Sequence, residues 1–121
     1  MKESTFDQIK RLRFEDILWL IFVFLAFINI YGDELQIKFL NTNNKNLEKK
    51  ANDAFTFTLI VTFFIYIYFF LRNYNAFKNV SAKQKSLLTI KVLGSALLIA
   101  GIICLIYFQR KNSTFIGSPS I

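Results

Sequence analysis

One uninterrupted apolar segment, residues 54–71, limits the folds that this chain can adopt. It reads AFTFTLIVTFFIYIYFFL, and its only polar side chains belong to three Thr and two Tyr residues. As a helix it would be about 27 Å long, close to the bilayer hydrocarbon thickness of about 30 Å. It is too long for an ordinary strand, and no face of the helix is polar enough for water. The segment therefore predicts a membrane-spanning helix rather than a core element of a soluble protein.

Two further apolar segments predict two more membrane helices, over residues 14–31 and 87–108. A basic segment precedes the first of them, as in a secretory signal peptide, but no small-residue cleavage site follows it. The overall hydrophobic content of 54% fits a chain that lipid rather than water surrounds. We therefore expect one all-α membrane domain over residues 1–121, with three transmembrane helices.

The segments that flank the first span are expected to lie outside the bilayer. Residues 1–13 resemble an interfacial helix with Thr5 as its N-cap, and the alternative is a solvated, frayed tail. Residues 32–53 read as the longer loop, whose last part, from residue 47, can already be helical. The polar tail, residues 109–121, is expected to be disordered.

The connection between the second and third spans is expected to be short. Ser81-Ala82-Lys83-Gln84 matches a capping box, which would start the third helix at Ala82. Only a few residues near Asn79 then remain for the turn. Spans two and three should therefore form an antiparallel hairpin.

The distribution of charge indicates an orientation. All eight acidic residues lie at or before Asp53, whereas seven of the 15 Lys and Arg residues follow it. With a cytoplasmic N-terminus, residues 1–13 and 72–86 place eight Lys and Arg residues inside, against six outside. Because Lys and Arg are enriched in cytoplasmic loops, we expect the N-terminus inside and the C-terminus outside a cell membrane. The frequent Asn, Lys, Ile and Phe residues indicate a bacterial source.

The basic inner loop, residues 72–86, is expected to contact anionic lipid headgroups, at about 1 kcal/mol per residue. The candidate residues are Arg72, Lys78, Lys83, Lys85 and, one turn inside the third span, Lys91. The simpler interpretation is a topology signal alone, with the Lys91 ammonium reaching back to the headgroups. A short loop held at a membrane offers little surface to nucleic acid, so no nucleic-acid partner is expected.

Two sets of residues predict helix packing. The third span carries the small residues Gly94, Ala96, Ala100, Gly101 and Cys104, and the second carries Thr58, Thr62 and Tyr66 four residues apart. Small side chains let helices approach closely in lipid. The first set predicts packing against the chain's own helices or against another subunit. The second predicts a polar seam towards the third helix, with a path for a polar substrate as the alternative.

The residue types argue against catalysis. Histidine is absent, no Gly-rich phosphate loop is present, and no carboxylate pair lies inside the membrane, since Glu15 and Asp16 are at the edge of the first span. Cys104 lies in an apolar helix without an activating neighbour in sequence. We therefore expect a non-enzymatic protein without a cofactor or metal.

Three functions remain open. The first is an accessory subunit or an immunity-type protective protein, within a homo-oligomer or a larger membrane complex. The chain also resembles holins in its size and its three spans, which implies an oligomeric pore former that associates through the third span. Three-span holins usually have an external N-terminus and a strongly charged tail, whereas this tail has only Arg110 and Lys111. The third is a small exporter subunit, for which Glu15 and Asp16 are the acidic candidates.

Overall fold

The structure, a computed structural model, describes residues 4–112 and 116–117. These residues form three α-helices: α1 (Thr5–Thr42), α2 (Lys45–Lys78) and α3 (Ala82–Lys111). Each helix is long and apolar enough to cross a membrane. The predicted all-α membrane fold with three spanning helices is confirmed.

Helix α1 begins well before the apolar segment that it contains. Its 38 residues correspond to about 57 Å, nearly twice the hydrocarbon thickness of a bilayer. Residues 5–13 are its first turns and not a separate interfacial helix. The N-cap is Ser4 rather than the predicted Thr5, because the Ser4 hydroxyl oxygen accepts a hydrogen bond from the Asp7 N–H at 3.1 Å.

The prediction of a long loop over residues 32–53 is wrong. Helix α1 continues to Thr42 and α2 begins at Lys45, so only Asn43 and Asn44 join them. Asn43 adopts the left-handed conformation (φ 56°), and its N–H donates to the Phe39 carbonyl at 2.6 Å. The Asn44 side chain then caps α2 by accepting from the Asn46 N–H at 3.0 Å.

Apolar contacts explain why the two helices continue past their apolar segments. Leu35 on α1 packs with Ala51 and Phe55 on α2 in a buried cluster, and the half-buried Leu47 lies against it. Burial of this apolar surface stabilises helical turns whose sequence is too polar to predict a span.

The predicted antiparallel hairpin of α2 and α3 is confirmed. Only residues 79–81 separate the helices, and α3 starts at Ala82 as predicted. The Gln84 N–H donates to the Ser81 carbonyl at 3.1 Å, but the Ser81 side chain makes no cap hydrogen bond. Most of the predicted basic loop is therefore helical. Of the tail predicted to be disordered, residues 109–111 belong to α3, and residues 113–115 and 118–121 lie outside the described part.

Helix α2 is the centre of the arrangement. Helices α1 and α3 both pack along it, and within the described residues no Cα atom of α1 lies within 8 Å of a Cα atom of α3. The buried residues of α1 include Leu18, Leu25 and Gly32, and those of α3 are Ser95, Ile102 and Gln109. Both sets recur every seven residues, the spacing of left-handed helix packing. One side of α2 is left as the floor of a groove between α1 and α3.

Candidate binding groove

The groove has three parts along its length. The middle groove, of about 360 Å³, is lined by apolar segments of all three helices. The basic pocket, of about 650 Å³, lies at the end where α1 begins and α2 ends. The turn-end pocket, of about 530 Å³, lies beside the turn between α1 and α2. The two ends of the whole groove are thus polar, and the centre of the groove is mainly apolar.

Glu15 joins α1 to α2 at the basic end. Its side chain is buried, and its Oε1 accepts a hydrogen bond from Arg72 Nη1 at 2.9 Å. Its Oε2 accepts from Arg11 Nη1 at 3.2 Å and from the Tyr68 hydroxyl at 3.1 Å. A carboxylate held by two guanidinium groups and a hydroxyl is typical of a structural ion pair. This geometry gives no support to Glu15 as the proton carrier of an exporter.

A chain of hydrogen bonds extends this ion pair to α3. Arg72 Nε and Nη2 donate to Asn73 Oδ1 at 3.1 and 2.8 Å, and Asn73 Nδ2 donates to Ser95 Oγ at 2.5 Å. The Ser95 hydroxyl donates to the Lys91 carbonyl at 3.0 Å. Asn73 and Ser95 are buried, so their polar groups need these partners. Neither residue is among the predicted site residues, although a polar side chain on an apolar helix is a usable signal.

The basic pocket contains part of the predicted lipid-contact set. Arg72 and Lys91 line it together with Arg11 and Glu15. Of the remaining predicted residues, Lys78, Lys83 and Lys85 are exposed and do not line it. The Lys78 ammonium lies 5.2 Å from the centre of the Tyr74 ring, and the Lys85 ammonium 5.6 Å from that of Phe77. The structure thus separates a recessed basic site from an outer basic surface.

The predicted polar seam on α2 lies along the middle groove. Thr58, Thr62 and Tyr66 all line it. Thr58 Oγ1 lies 3.1 Å from Asn29 Oδ1. Thr58 therefore faces α1, whereas the prediction was that it faces α3. The Thr58 and Thr62 hydroxyls also lie 2.8 Å from the carbonyl oxygens of Phe55 and Thr58. Two of the three residues are therefore satisfied within the chain.

The predicted small-residue set of α3 is mostly uncovered. Gly94, Ala100, Gly101 and Cys104 are exposed, and Ala96 is half-buried. A Cβ atom added at Gly94 or Gly101 would meet no atom within 4 Å. The prediction that these four exposed residues pack against the chain's own helices is therefore wrong, because α3 contacts α2 through the face that carries Ser95. Contact with another subunit stays a prediction.

The turn-end pocket is bordered by two polar contacts between distant segments. Gln109 Nε2 donates to Asn52 Oδ1 and joins α3 to α2. The Gly117 N–H donates to Gln36 Oε1 at 2.8 Å, which places this part of the tail on α1. Both glutamines are buried.

The fold and the groove define a class, the small integral membrane proteins built from three helices. No known protein family, no curated protein and no solved structure matches this chain. The groove itself is therefore the basis for interpreting function.

Proposed function

We propose that this chain is a non-enzymatic subunit of a membrane complex and that its middle groove receives a transmembrane helix of the partner. The observation that supports this proposal is the groove that α1 and α3 leave along α2. Within the described residues, α1 and α3 both pack on α2, and none of their Cα atoms lie within 8 Å of each other. Such a groove in lipid offers a fourth helix contact with three helices at once.

The residues that line the middle groove follow the spacing of helix packing. Alternating steps of three and four residues separate Phe22, Ala26 and Asn29 on α1, Leu59, Thr62 and Tyr66 on α2, and Leu98, Gly101 and Leu105 on α3. This spacing places the residues of each helix in one row along the groove. Gly101 adds room for close approach of a backbone, the feature that promotes helix association in lipid.

Tyr66 gives the groove a polar group for recognition. Its ring lies against Phe22, with 6.3 Å between ring centres, and its side chain is half-buried in the groove wall. Among the described residues its hydroxyl has no hydrogen-bond partner. A hydroxyl at this depth favours a partner helix that carries a polar side chain, because polar groups in lipid seek hydrogen bonds.

The same surface suits an accessory subunit and an immunity-type protective protein. Both would act by binding a helix of another membrane protein, and neither needs a reactive group. The proposal includes a cytoplasmic N-terminus in a bacterial cell membrane, which places the basic pocket on the cytoplasmic side.

Filling the groove tests the proposal. Gly101→Leu places a bulky side chain in the groove, and Cys104→Leu adds bulk on an exposed position that does not line it. The wild-type chain and Cys104→Leu should co-purify with a partner in mild detergent, whereas Gly101→Leu should not. All three should keep the same helical content by circular dichroism. Purification of the wild type as a lone monomer, or a complex that tolerates Gly101→Leu, would refute the proposal.

A holin-like pore former is the second candidate, and the exposed Ala100 and Cys104 on α3 favour it. In that case copies would associate through this face, and oxidation should join them by a Cys104 disulfide. Expression in a bacterial host should also cause leakage of small solutes. Absence of both effects at high expression would eliminate this candidate.

A further inference from the structure

We propose that the basic pocket binds the phosphate group of one anionic phospholipid. The pocket is lined by three cationic side chains, Arg11, Arg72 and Lys91, and by one carboxylate, Glu15. Glu15 balances one of these three positive charges. This inference goes beyond the proposed function, because it uses the end of the groove and not the middle groove where a partner helix would lie.

The guanidinium group of Arg72 is held in a fixed position in which it can bind a phosphate. Glu15 and Asn73 fix its guanidinium through Nη1, Nε and Nη2, and the Phe69 ring centre lies 4.8 Å from it. A guanidinium has five N–H donors, so one on each terminal nitrogen is left. The side chain is still 22% exposed. Arg72 therefore keeps two charged N–H donors that a phosphate oxygen can accept from.

Lys91 supplies a second cation on the opposite wall. It lies one turn inside the apolar part of α3, and its side chain is exposed. Its ammonium makes no hydrogen bond or ion pair with the described residues; only its backbone carbonyl is engaged, by Ser95. An ammonium near the hydrocarbon boundary is stabilised by an anionic partner. A phosphate in the pocket would provide one.

The rest of the lining favours a lipid over free phosphate. Leu12, Leu71 and Val80 line the pocket beside the cations, and Gln8 and Asn75 add polar groups. Apolar walls beside a charged site suit a headgroup attached to a glycerol and its first methylene groups. The pocket also lies where the three helices leave their apolar segments, which is the level of lipid headgroups.

Lipid titration of the full-length chain in mild nonionic detergent, followed by native mass spectrometry, tests this proposal. One molecule of phosphatidylglycerol should bind in preference to phosphatidylcholine. Lys91→Gln should weaken phosphatidylglycerol binding about fivefold, the effect of one cation at a membrane surface. Lys91→Arg should preserve it. The matched control is Lys83→Gln, which removes the same charge from an exposed residue outside the pocket and should leave binding unchanged.

Three results would overturn the proposal. Equal weakening by Lys83→Gln and Lys91→Gln would assign the binding to the net charge of the surface. Equal binding of the two lipids would remove the role of the anionic headgroup. Displacement of phosphatidylglycerol by millimolar inorganic phosphate would assign the pocket to a free anion. None of these measurements involves a partner protein. A negative result would therefore reject lipid binding in the basic pocket without bearing on the proposed binding of a partner helix.

Discussion

Phe55 packs directly on the backbone of Gly32, at a point where only a hydrogen atom fits. The Phe55 ring is fully buried, and a Cβ atom added at Gly32 would lie 2.5 Å from its Cε1 and 2.8 Å from its Cζ. The contact joins α1 to α2 beside the cluster formed by Leu35 and Ala51. It is the place in the described chain where the close approach of two helices depends most clearly on a glycine.

Gly32→Ala should therefore destabilise the protein. The added methyl group must displace a fully buried aromatic ring, and overpacking of this kind costs about 1–3 kcal/mol. Thermal unfolding in detergent, followed by circular dichroism, measures the change. Gly94→Ala is the matched control, because its added methyl group meets open space and alanine is a better helix former than glycine. Equal stability of the two variants would contradict the close contact.

Glu15→Gln should also destabilise the protein, by weakening the ion pairs that tie α1 to α2. The substitution removes a charge that accepts hydrogen bonds from Arg11, Arg72 and Tyr68. Loss of a hydrogen bond to a charged group costs about 1.5–3 kcal/mol. The exposed neighbour Asp16 provides the control, and Asp16→Asn should change stability by no more than about 0.5 kcal/mol.

A double variant separates the Glu15–Arg72 pair from general effects of charge. If the pair acts as a unit, Glu15→Gln combined with Arg72→Gln should cost less than the two single changes together. Strict additivity would show that the two side chains do not stabilise each other.

The parts of this fold that lipid surrounds can be predicted from the sequence, and the parts that depend on packing between helices cannot. The span over residues 54–71 was evident because its length and lack of charge admit few alternatives. The helical turns around Gly32 and Lys45 are not evident from the sequence, because this part of the chain is polar. Their helicity depends on burial of Leu35 and Phe55 in a contact between two helices. Long-range packing of this kind leaves no local signal in one sequence.

The candidate site was predictable to a similar degree. The charge of Arg72 and Lys91 next to apolar segments predicts their role at the membrane surface, and both line the basic pocket. The spacing of the small residues of α3 predicts that they pack against a helix, without saying which one. Spacing places residues on a common face, but the packing of α3 on α2 through the face that carries Ser95 decides which face of α3 stays open. The polarity of Asn73 and Ser95 marks each of them in the sequence, but no local pattern pairs the two residues across α2 and α3.

Site-directed labelling should establish the orientation of the hairpins. In a Cys104→Ser background, single cysteines at Asn44 and at Asn79 lie at the two opposite turns. We expect a membrane-impermeant thiol reagent, added to intact cells, to label the cysteine at position 44 and not that at position 79. Permeabilised cells provide the control, since both positions should then react. The reverse pattern would keep the fold and invert the protein in the membrane.

The attachment of α3 to the other helices should depend on Asn73. Asn73→Leu removes the acceptor of two Arg72 hydrogen bonds and the donor to Ser95, and an unsatisfied buried polar group costs about 1–3 kcal/mol. Asn75→Leu is the matched control, because Asn75 lies on the same helix but is exposed. Limited proteolysis at the turn formed by residues 79–81 should become faster in Asn73→Leu alone, as α3 separates from α2. Equal cleavage of both variants would show that apolar contacts such as that of Ile102 hold α3 without this polar link.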